Sequence, residues 1–219
     1  MHAKERVMMN PVRKVVSRSK GRVNGYYYSR KARRLLPWES QLERDALIIV
    51  DLMPEVDQVA VQPFKLVYRC DGRDRIYFPD ILIQGSFGET VIEVKASGEL
   101  RKPDNQKRFP LIEATLAENG YRFEIWTEQD IRREPRRKNL GLLSAYRLCE
   151  PPAVDKKQLR SLFRGCPHVS IQEVADLIGG DADLADVLLL VANGQLKIDL
   201  DARIGLSTPV ELVRGGFGQ

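Results

Sequence analysis

The chain has 219 residues, of which 43% are hydrophobic and 30% charged, a composition typical of a globular protein with a packed core. It contains no run of about eighteen apolar residues that could cross a membrane, and its basic N-terminus lacks the apolar segment of a signal peptide. The three cysteines and two histidines are scattered, without the spacing of a zinc site. We therefore expect a cytoplasmic protein whose chemistry depends on carboxylates and lysine.

Positive charge is concentrated at the N-terminus. Residues 1–36 contain 11 Lys and Arg against one acidic residue, although the whole chain has a net charge of only +5. Three consecutive tyrosines, residues 26–28, lie inside this segment. A cationic segment of this kind suits the phosphate backbone of a nucleic acid, and the alternative is a solvated tail or face.

The next segment predicts a helix followed by strands. A helix is predicted over residues 37–53, and its apolar face also includes the acidic Glu43. Three stretches rich in Val, Ile and aromatic residues follow, bounded by DG and GSFG turn signals, and they predict consecutive strands of a meander. A further helix ending near Gly120 and the strand YRFEIWTE complete an α/β sheet of mixed direction.

The C-terminal part predicts a second, smaller domain. Residues 149–155, CEPPAVD, are typical of a linker. Three short helices and a hairpin follow, an order that predicts a winged-helix-like domain. The third of these helices carries acidic residues and no Lys or Arg, whereas a helix that reads DNA is usually basic. We therefore expect this domain chiefly to bind a protein partner.

The most informative stretch is FPDILIQGSFGETVIEVK, residues 78–95. Glu93 and Lys95 are two apart in a strand and project from the same face, and pairing across the glycine-rich turn brings Asp80 beside Glu93. Two carboxylates and a backbone carbonyl form a hard oxygen site suited to Mg²⁺, and a nearby lysine can orient a water. This combination suits phosphodiester hydrolysis. An ordinary charged hairpin with a Glu–Lys pair is the alternative.

Four motifs in order make the pattern more specific: SQLE (40–43), VQPF (61–64), FPD (78–80) and IEVK (92–95). Together they resemble the TnsA family, the endonuclease subunit of heteromeric transposases with a PD-(D/E)xK active site, over about residues 25–130. The resemblance implies a restriction-endonuclease-like mixed sheet flanked by helices, followed by the small winged-helix-like C-terminal domain.

The resemblance also implies roles for individual residues. Glu43 matches the acid of the family's helix, Asp80 the central metal-binding aspartate and Lys95 the catalytic lysine. Glu93 stands where the family can carry glutamine. The metal ligands implied are Asp80, Glu93, the backbone of Val94 and Glu43.

Two assignments remain open at this point. Gln62 occupies the glutamine of the QPF motif, and it is either a site residue or a polar strand end. Glu39 is a rival for Glu43 because it lies one turn earlier on the same face.

The predicted domains are a basic N-terminal arm (1–36), an endonuclease domain (37–148), the linker (149–155) and the winged-helix-like domain (156–219). By the resemblance, the protein is a Mg²⁺-dependent endonuclease, with Mn²⁺ as a substitute, that cuts the 5′ ends of a transposon. Its expected partners are double-stranded DNA at the transposon ends, a TnsB-like DDE transposase and a TnsC-like ATPase. The DNA contacts are predicted to come from seven basic residues: Arg22, Arg30, Lys31, Arg33, Arg34, Lys107 and Arg108.

Two other functions are compatible with the sequence. One is a stand-alone restriction or repair endonuclease of the same fold, which would cut plain DNA without partners. The other is a non-catalytic DNA-binding adaptor, in which the acidic residues form ordinary ion pairs.

Overall fold

The computed structural model of the chain describes residues 23–166 and 169–213. The chain divides into two compact units, residues 1–131 and residues 132–219. The predicted boundary, a linker at 149–155, lies later in the sequence than this division. No helix in the described ranges has the length and hydrophobicity that a bilayer crossing requires.

The first unit contains eight strands and four helices among its described residues. In chain order they are β1 (Gly25–Ser29), β2 (Arg34–Trp38), α1 (Gln41–Leu52), β3 (Val56–Val61), β4 (Leu66–Cys70), β5 (Arg73–Tyr77), β6 (Ile81–Gly85), β7 (Gly88–Val94), α2 (Ser97–Leu100), α3 (Pro103–Glu118), β8 (Arg122–Trp126) and α4 (Glu128–Ile131).

A mixed four-stranded sheet in the order β3–β6–β7–β8 forms the centre of this unit. β3, β6 and β7 are antiparallel neighbours, whereas β7 and β8 are parallel and are joined by the crossover that contains α3. On one face of the sheet, Leu82 and Val91 pack with Phe109, Ile112 and Leu116 of α3. The predicted mixed α/β sheet with flanking helices is therefore present.

The predicted three-strand meander is wrong in its detail. Two of the three predicted strands are each divided in two, the first into β3 and β4 and the second into β5 and β6. β3 pairs with β6, and β4 and β5 form a separate hairpin. Pro63 and Pro79 lie at the two breaks, where a residue without a backbone N–H cannot continue a ladder. The DG signal does mark the hairpin turn, since Asp71 and Gly72 both have positive φ.

The described part of the predicted N-terminal arm is folded, and residues 1–22 lie outside the described residues. β1 and β2 form an antiparallel hairpin, and its inner face buries Tyr27, Leu36 and Trp38. Asp51 of α1 ties the hairpin down, because its carboxylate accepts hydrogen bonds from the hydroxyls of Tyr27 (2.9 Å) and Ser29 (2.6 Å). Residues 25–38 thus form a hairpin with alternating buried and exposed residues, although their composition is basic.

The first helix begins later than the sequence predicts. α1 starts at Gln41 with Ser40 as its N-cap, and the Ser40 hydroxyl accepts a hydrogen bond from the backbone N–H of Glu43. Pro37, predicted to open the helix, lies in β2 instead. The cap position places Glu43 in the first helical turn.

The second unit contains four helices and three short strands among its described residues. They are α5 (Arg136–Tyr146), α6 (Lys156–Leu162), β9 (Val169–Ser170), α7 (Ile171–Ile178), α8 (Leu184–Ala192), β10 (Leu196–Ile198) and β11 (Pro209–Leu212). The strands form an antiparallel sheet in the order β10–β11–β9.

The helix α5 explains why the units divide before residue 148. Its Asn139 side chain donates hydrogen bonds to the carbonyls of Leu200 (2.9 Å) and Ala202 (2.7 Å). Arg133 and Arg136 both contact the carboxylate of Asp201. Residues 132–148, which the sequence assigns to the endonuclease domain, therefore pack with the C-terminal elements.

Candidate active site

The hairpin of β6 and β7 places two carboxylates side by side. Gly85 pairs with Gly88 around a two-residue loop, and Ile81 pairs with Ile92 at the other end of the hairpin. Continuing this register by one residue sets Asp80 opposite Glu93. Gly85 is required because any side chain there would collide with the backbone carbonyl of Glu55. The turn therefore fixes which acids meet at the far end of the hairpin.

Asp80 is half-buried and lies close to other negative charges. One of its oxygens accepts a hydrogen bond from the backbone N–H of Val94 at 2.9 Å. Burial, and then the charges of Glu93 and Glu43, raise the pKa of Asp80 well above its usual range. Such a pKa indicates that the surrounding protein groups compensate the negative charge incompletely.

Glu93 is 3% exposed and has a hydrogen-bonding or charged partner at each oxygen. Its Oε2 accepts a hydrogen bond from the hydroxyl of Tyr77 at 2.7 Å. Its Oε1 lies 3.1 Å from the ammonium nitrogen of Lys95 and 4.0 Å from the guanidinium of Arg108. Lys95, with 28% of its side chain exposed, stands between this buried carboxylate and solvent.

Tyr77 is a site residue that the sequence analysis missed. A tyrosine at the end of an apolar strand predicts core packing, and only the β4–β5 hairpin brings it to Glu93. Burial, and then the charges of Glu93 and Asp80, raise the pKa of Tyr77 far above its usual range. The hydroxyl therefore remains a hydrogen-bond donor that holds one oxygen of Glu93.

Replacing Tyr77 with phenylalanine is expected to destabilise the protein by about 1–3 kcal/mol, because it leaves a buried carboxylate oxygen without its donor. Urea unfolding in EDTA measures the loss. Tyr68 to Phe is the matched control, since Tyr68 packs in the same core and, among the described residues, Tyr77 and not Tyr68 donates a hydrogen bond to Glu93. Equal losses in the two variants would contradict the positioning role.

Glu43 acts as a helix-capping residue as well as a neighbour of the site. Its carboxylate accepts hydrogen bonds from the backbone N–H of Glu39 (2.8 Å) and the hydroxyl of Ser40 (3.0 Å). Burial is the main cause that raises the pKa of Glu43, and the hydrogen bonds from Glu39 and Ser40 are the main opposing causes. The backbone of Glu39, the predicted rival of Glu43, thus helps to orient Glu43.

Gln62 combines backbone strain with an unsatisfied polar atom. Its φ is +43°, a left-handed value unusual for a residue other than glycine, and its N–H donates to the carbonyl of Asp80 at 3.1 Å. The side chain is 5% exposed, and its Oε1 is buried without a hydrogen-bond partner. Such a combination is typical of a functional site, where the strain and the orphaned acceptor serve a ligand.

The oxygen atoms of the site suit a hard cation, although they do not form a complete set of ligands for one. Among the described residues, no three His, Cys, Asp or Glu side chains are grouped as metal ligands. The capping hydrogen bonds of Glu43 hold its carboxylate at the start of its own helix. The close pair of Asp80 and Glu93 and the unpaired Gln62 oxygen are nevertheless the hard oxygen donors that Mg²⁺ prefers.

The predicted DNA-contacting residues lie in several different settings. Arg22 lies outside the described residues, Arg33 is exposed at the β1–β2 turn, and Arg30 adjoins the same turn. The ammonium of Lys31 donates to the carbonyl of Val56, and burial lowers the pKa of Lys31. Burial also lowers the pKa of Arg34.

The two predicted DNA contacts on α3 differ from each other. Lys107 forms an exposed ion pair with Asp71 at the tip of the β4–β5 hairpin. Arg108, by contrast, points to Glu93 at the candidate site. Lys31 and Lys107 are therefore already engaged in contacts within the protein.

Comparison with known families supports the resemblance for the central part of the chain. Residues 53–128 match the family described as TnsA-like endonuclease N terminal, which covers less than half of the chain. No curated protein matches the sequence. The matched segment contains Gln62, Asp80, Glu93 and Lys95, and it begins after Glu43. The match indicates a nuclease domain of the TnsA type, with DNA as its substrate.

Proposed function

We propose that this protein, whose residues 53–128 match the TnsA-like endonuclease N-terminal domain, is a Mg²⁺-dependent endonuclease that cuts the 5′ ends of a transposon during cut-and-paste transposition. One observation carries the proposal: the β6–β7 register places Asp80, Glu93 and Lys95 together on one face of the matched sheet. The PD-(D/E)xK motif supplies the matching chemistry. The burial of Asp80 and the charges of Glu93 and Glu43, which together raise the pKa of Asp80, support the proposal because a bound cation would compensate these negative charges.

The residues of the site have separate roles in this proposal. Asp80, Glu93 and the backbone carbonyl of Val94 would hold Mg²⁺, with Glu43 added if its carboxylate leaves the helix cap. The cation supplies Lewis-acid stabilisation of the charge that develops on the phosphodiester. Lys95 orients the attacking water and contributes positive charge near the phosphate.

The proposed partners follow from the resemblance to the TnsA family. A TnsC-like ATPase would supply ATP-dependent control. A TnsB-like DDE transposase would cut and join the 3′ ends. In this proposal, cleavage waits for the assembly of these subunits on the transposon ends.

The C-terminal unit is proposed as a winged-helix-like module that binds a protein partner. Its order of α6, β9, α7, α8, β10 and β11, with β11 between the other two strands, supports the architecture. α8 carries Asp186 and no basic residue, which disfavours insertion into a DNA groove. Salt-sensitive DNA affinity of residues 132–219 equal to that of the full chain would contradict this role.

Titration of Mn²⁺ into the full chain by calorimetry tests the enzymatic proposal. We expect binding by the wild type and at least about 10- to 100-fold weaker binding in Asp80→Ala and Glu93→Ala, the loss that even outer-shell changes cause. A plasmid-nicking assay with the same proteins then relates binding to cleavage. Absence of wild-type binding, with or without DNA, would refute the nuclease and favour the non-catalytic adaptor.

A further inference from the structure

Arg108 lies beside Glu93, one of the proposed metal ligands. It projects from α3 so that its guanidinium is 4.0 Å from Oε1 of Glu93 and 4.7 Å from the ring centre of Phe109. Its side chain is 35% exposed, whereas its Nε atom is buried. The side chain is thus close to a buried carboxylate and also partly open to solvent.

The hydrogen bonds of Arg108 are incomplete. Three buried side-chain polar atoms in the described part of the chain have no partner, and they are Trp38 Nε1, Gln62 Oε1 and Arg108 Nε. A guanidinium binds a carboxylate or phosphate best through two parallel N–H groups. Glu93, at the outer limit of an ion pair, does not provide that arrangement. A phosphate oxygen would supply the acceptor that Nε lacks.

The two oxygens of Glu93 have different partners, and Oε1 is the one that faces positive charge. Its Oε2 is held by the Tyr77 hydroxyl, whereas its Oε1 faces the positive charges of Lys95 and Arg108. A divalent cation at Oε1 would be repelled by both positive groups. Metal binding and the contact with Arg108 therefore compete for the same atom.

We propose that Arg108 leaves Glu93 for a DNA phosphate, so that binding of duplex DNA releases Oε1 of Glu93 and strengthens metal binding at the site. This inference rests on the proposed nuclease function. It makes the DNA phosphate the ligand of Arg108 and makes the site reach its active state only on substrate. By thermodynamic linkage, the metal must strengthen DNA binding by the same factor.

The test is a Mn²⁺ titration of the full chain by calorimetry, with and without a saturating short duplex whose integrity is checked on a gel. For the wild type we expect DNA to raise the Mn²⁺ affinity by about tenfold, within the usual range of coupling between two sites. In Arg108→Met we expect tighter Mn²⁺ binding without DNA and loss of most of the enhancement by DNA.

Two further variants separate the exchange from charge and folding effects. Lys102→Met removes the same charge from the start of α3, where Lys102 pairs with the exposed Glu99 at 2.7 Å, and it should retain the wild-type enhancement. Arg108→Lys keeps the charge but loses the two parallel donors. It should show a smaller enhancement by DNA than the wild type, and this can be measured even if the methionine variant fails to fold.

The outcomes distinguish this inference from the function on which it rests. Mn²⁺ binding that depends on Asp80 but is not enhanced by DNA in the wild type would overturn the exchange and leave the nuclease proposal intact. An unchanged enhancement in both Arg108 variants would also overturn it. Failure of the wild type to bind Mn²⁺ under either condition would overturn both.

Discussion

Replacing Asp80 with asparagine is expected to abolish cleavage and, at the same time, to stabilise the metal-free protein at neutral pH. Asparagine keeps an oxygen that can accept the hydrogen bond from the backbone N–H of Val94, so the local fold should be retained. It removes the charge that Glu93 and Glu43 repel. Metal affinity should fall at least about 10- to 100-fold, because a neutral amide is a weaker ligand for a hard cation.

The pH dependence of this effect has a definite sign. The pKa of Asp80 is raised in the folded chain, whereas in the unfolded chain it is near its ordinary value of about 3.9. Between the two values the folded state binds more protons, so the free energy of unfolding falls as the pH rises through that window. Asparagine does not titrate, so its stability advantage should be smallest near about pH 4 and grow towards neutral pH.

Thermal unfolding in EDTA across this pH range measures the effect. Asp57→Asn, which makes the same substitution at an exposed position of β3, is the matched control. A less stable Asp80→Asn at neutral pH would mean that the carboxylate is held in its charged form by the protein. Full cleavage by this variant would exclude Asp80 as a metal ligand.

The acidic pair could be predicted because its geometry is local. A two-residue turn between Gly85 and Gly88 fixes the register, and alternation along β7 places Glu93 and Lys95 on one face. No long-range contact is needed to bring Asp80 beside Glu93. The mixed direction of the sheet was also predictable, because a helical segment separates β7 from β8.

The remaining parts of the site depend on contacts between distant segments. Tyr77 reaches Glu93 because the β4–β5 hairpin is separate from the main sheet. The sequence predicts a continuous meander instead, so it does not predict this contact. Arg108 reaches it only because α3 packs on the same face. The strain at Gln62 is a backbone property that residue type does not reveal.

The N-terminal hairpin shows how composition can obscure alternation. The basic residues around Arg33 suggested an arm, but Tyr27 and Leu36 alternate with exposed neighbours as strand residues do. The turn contains no glycine, and Arg33 itself adopts a positive φ of 52°. The usual hairpin signal was therefore missing from the sequence.

Replacing Lys95 with methionine is expected to abolish cleavage and also to lower stability. The change removes the ammonium that lies 3.1 Å from Oε1 of Glu93 and leaves Arg108, at 4.0 Å, as the remaining cation. Because Lys95 is partly exposed, we expect a loss of about 1–3 kcal/mol, less than for a fully buried pair. Urea unfolding and plasmid cleavage measure the two effects separately.

Glutamine at position 93 separates the catalytic role of Lys95 from its neutralisation of Glu93. The TnsA resemblance includes glutamine at this position, so Glu93→Gln should retain cleavage, reduced by about 10- to 100-fold. The double variant Glu93→Gln/Lys95→Met no longer carries the Glu93 charge that Lys95 neutralises, and it should recover most of the lost stability. If Lys95 orients the water, this stable double variant remains inactive; cleavage equal to that of Glu93→Gln alone would show that Lys95 only neutralises the carboxylate.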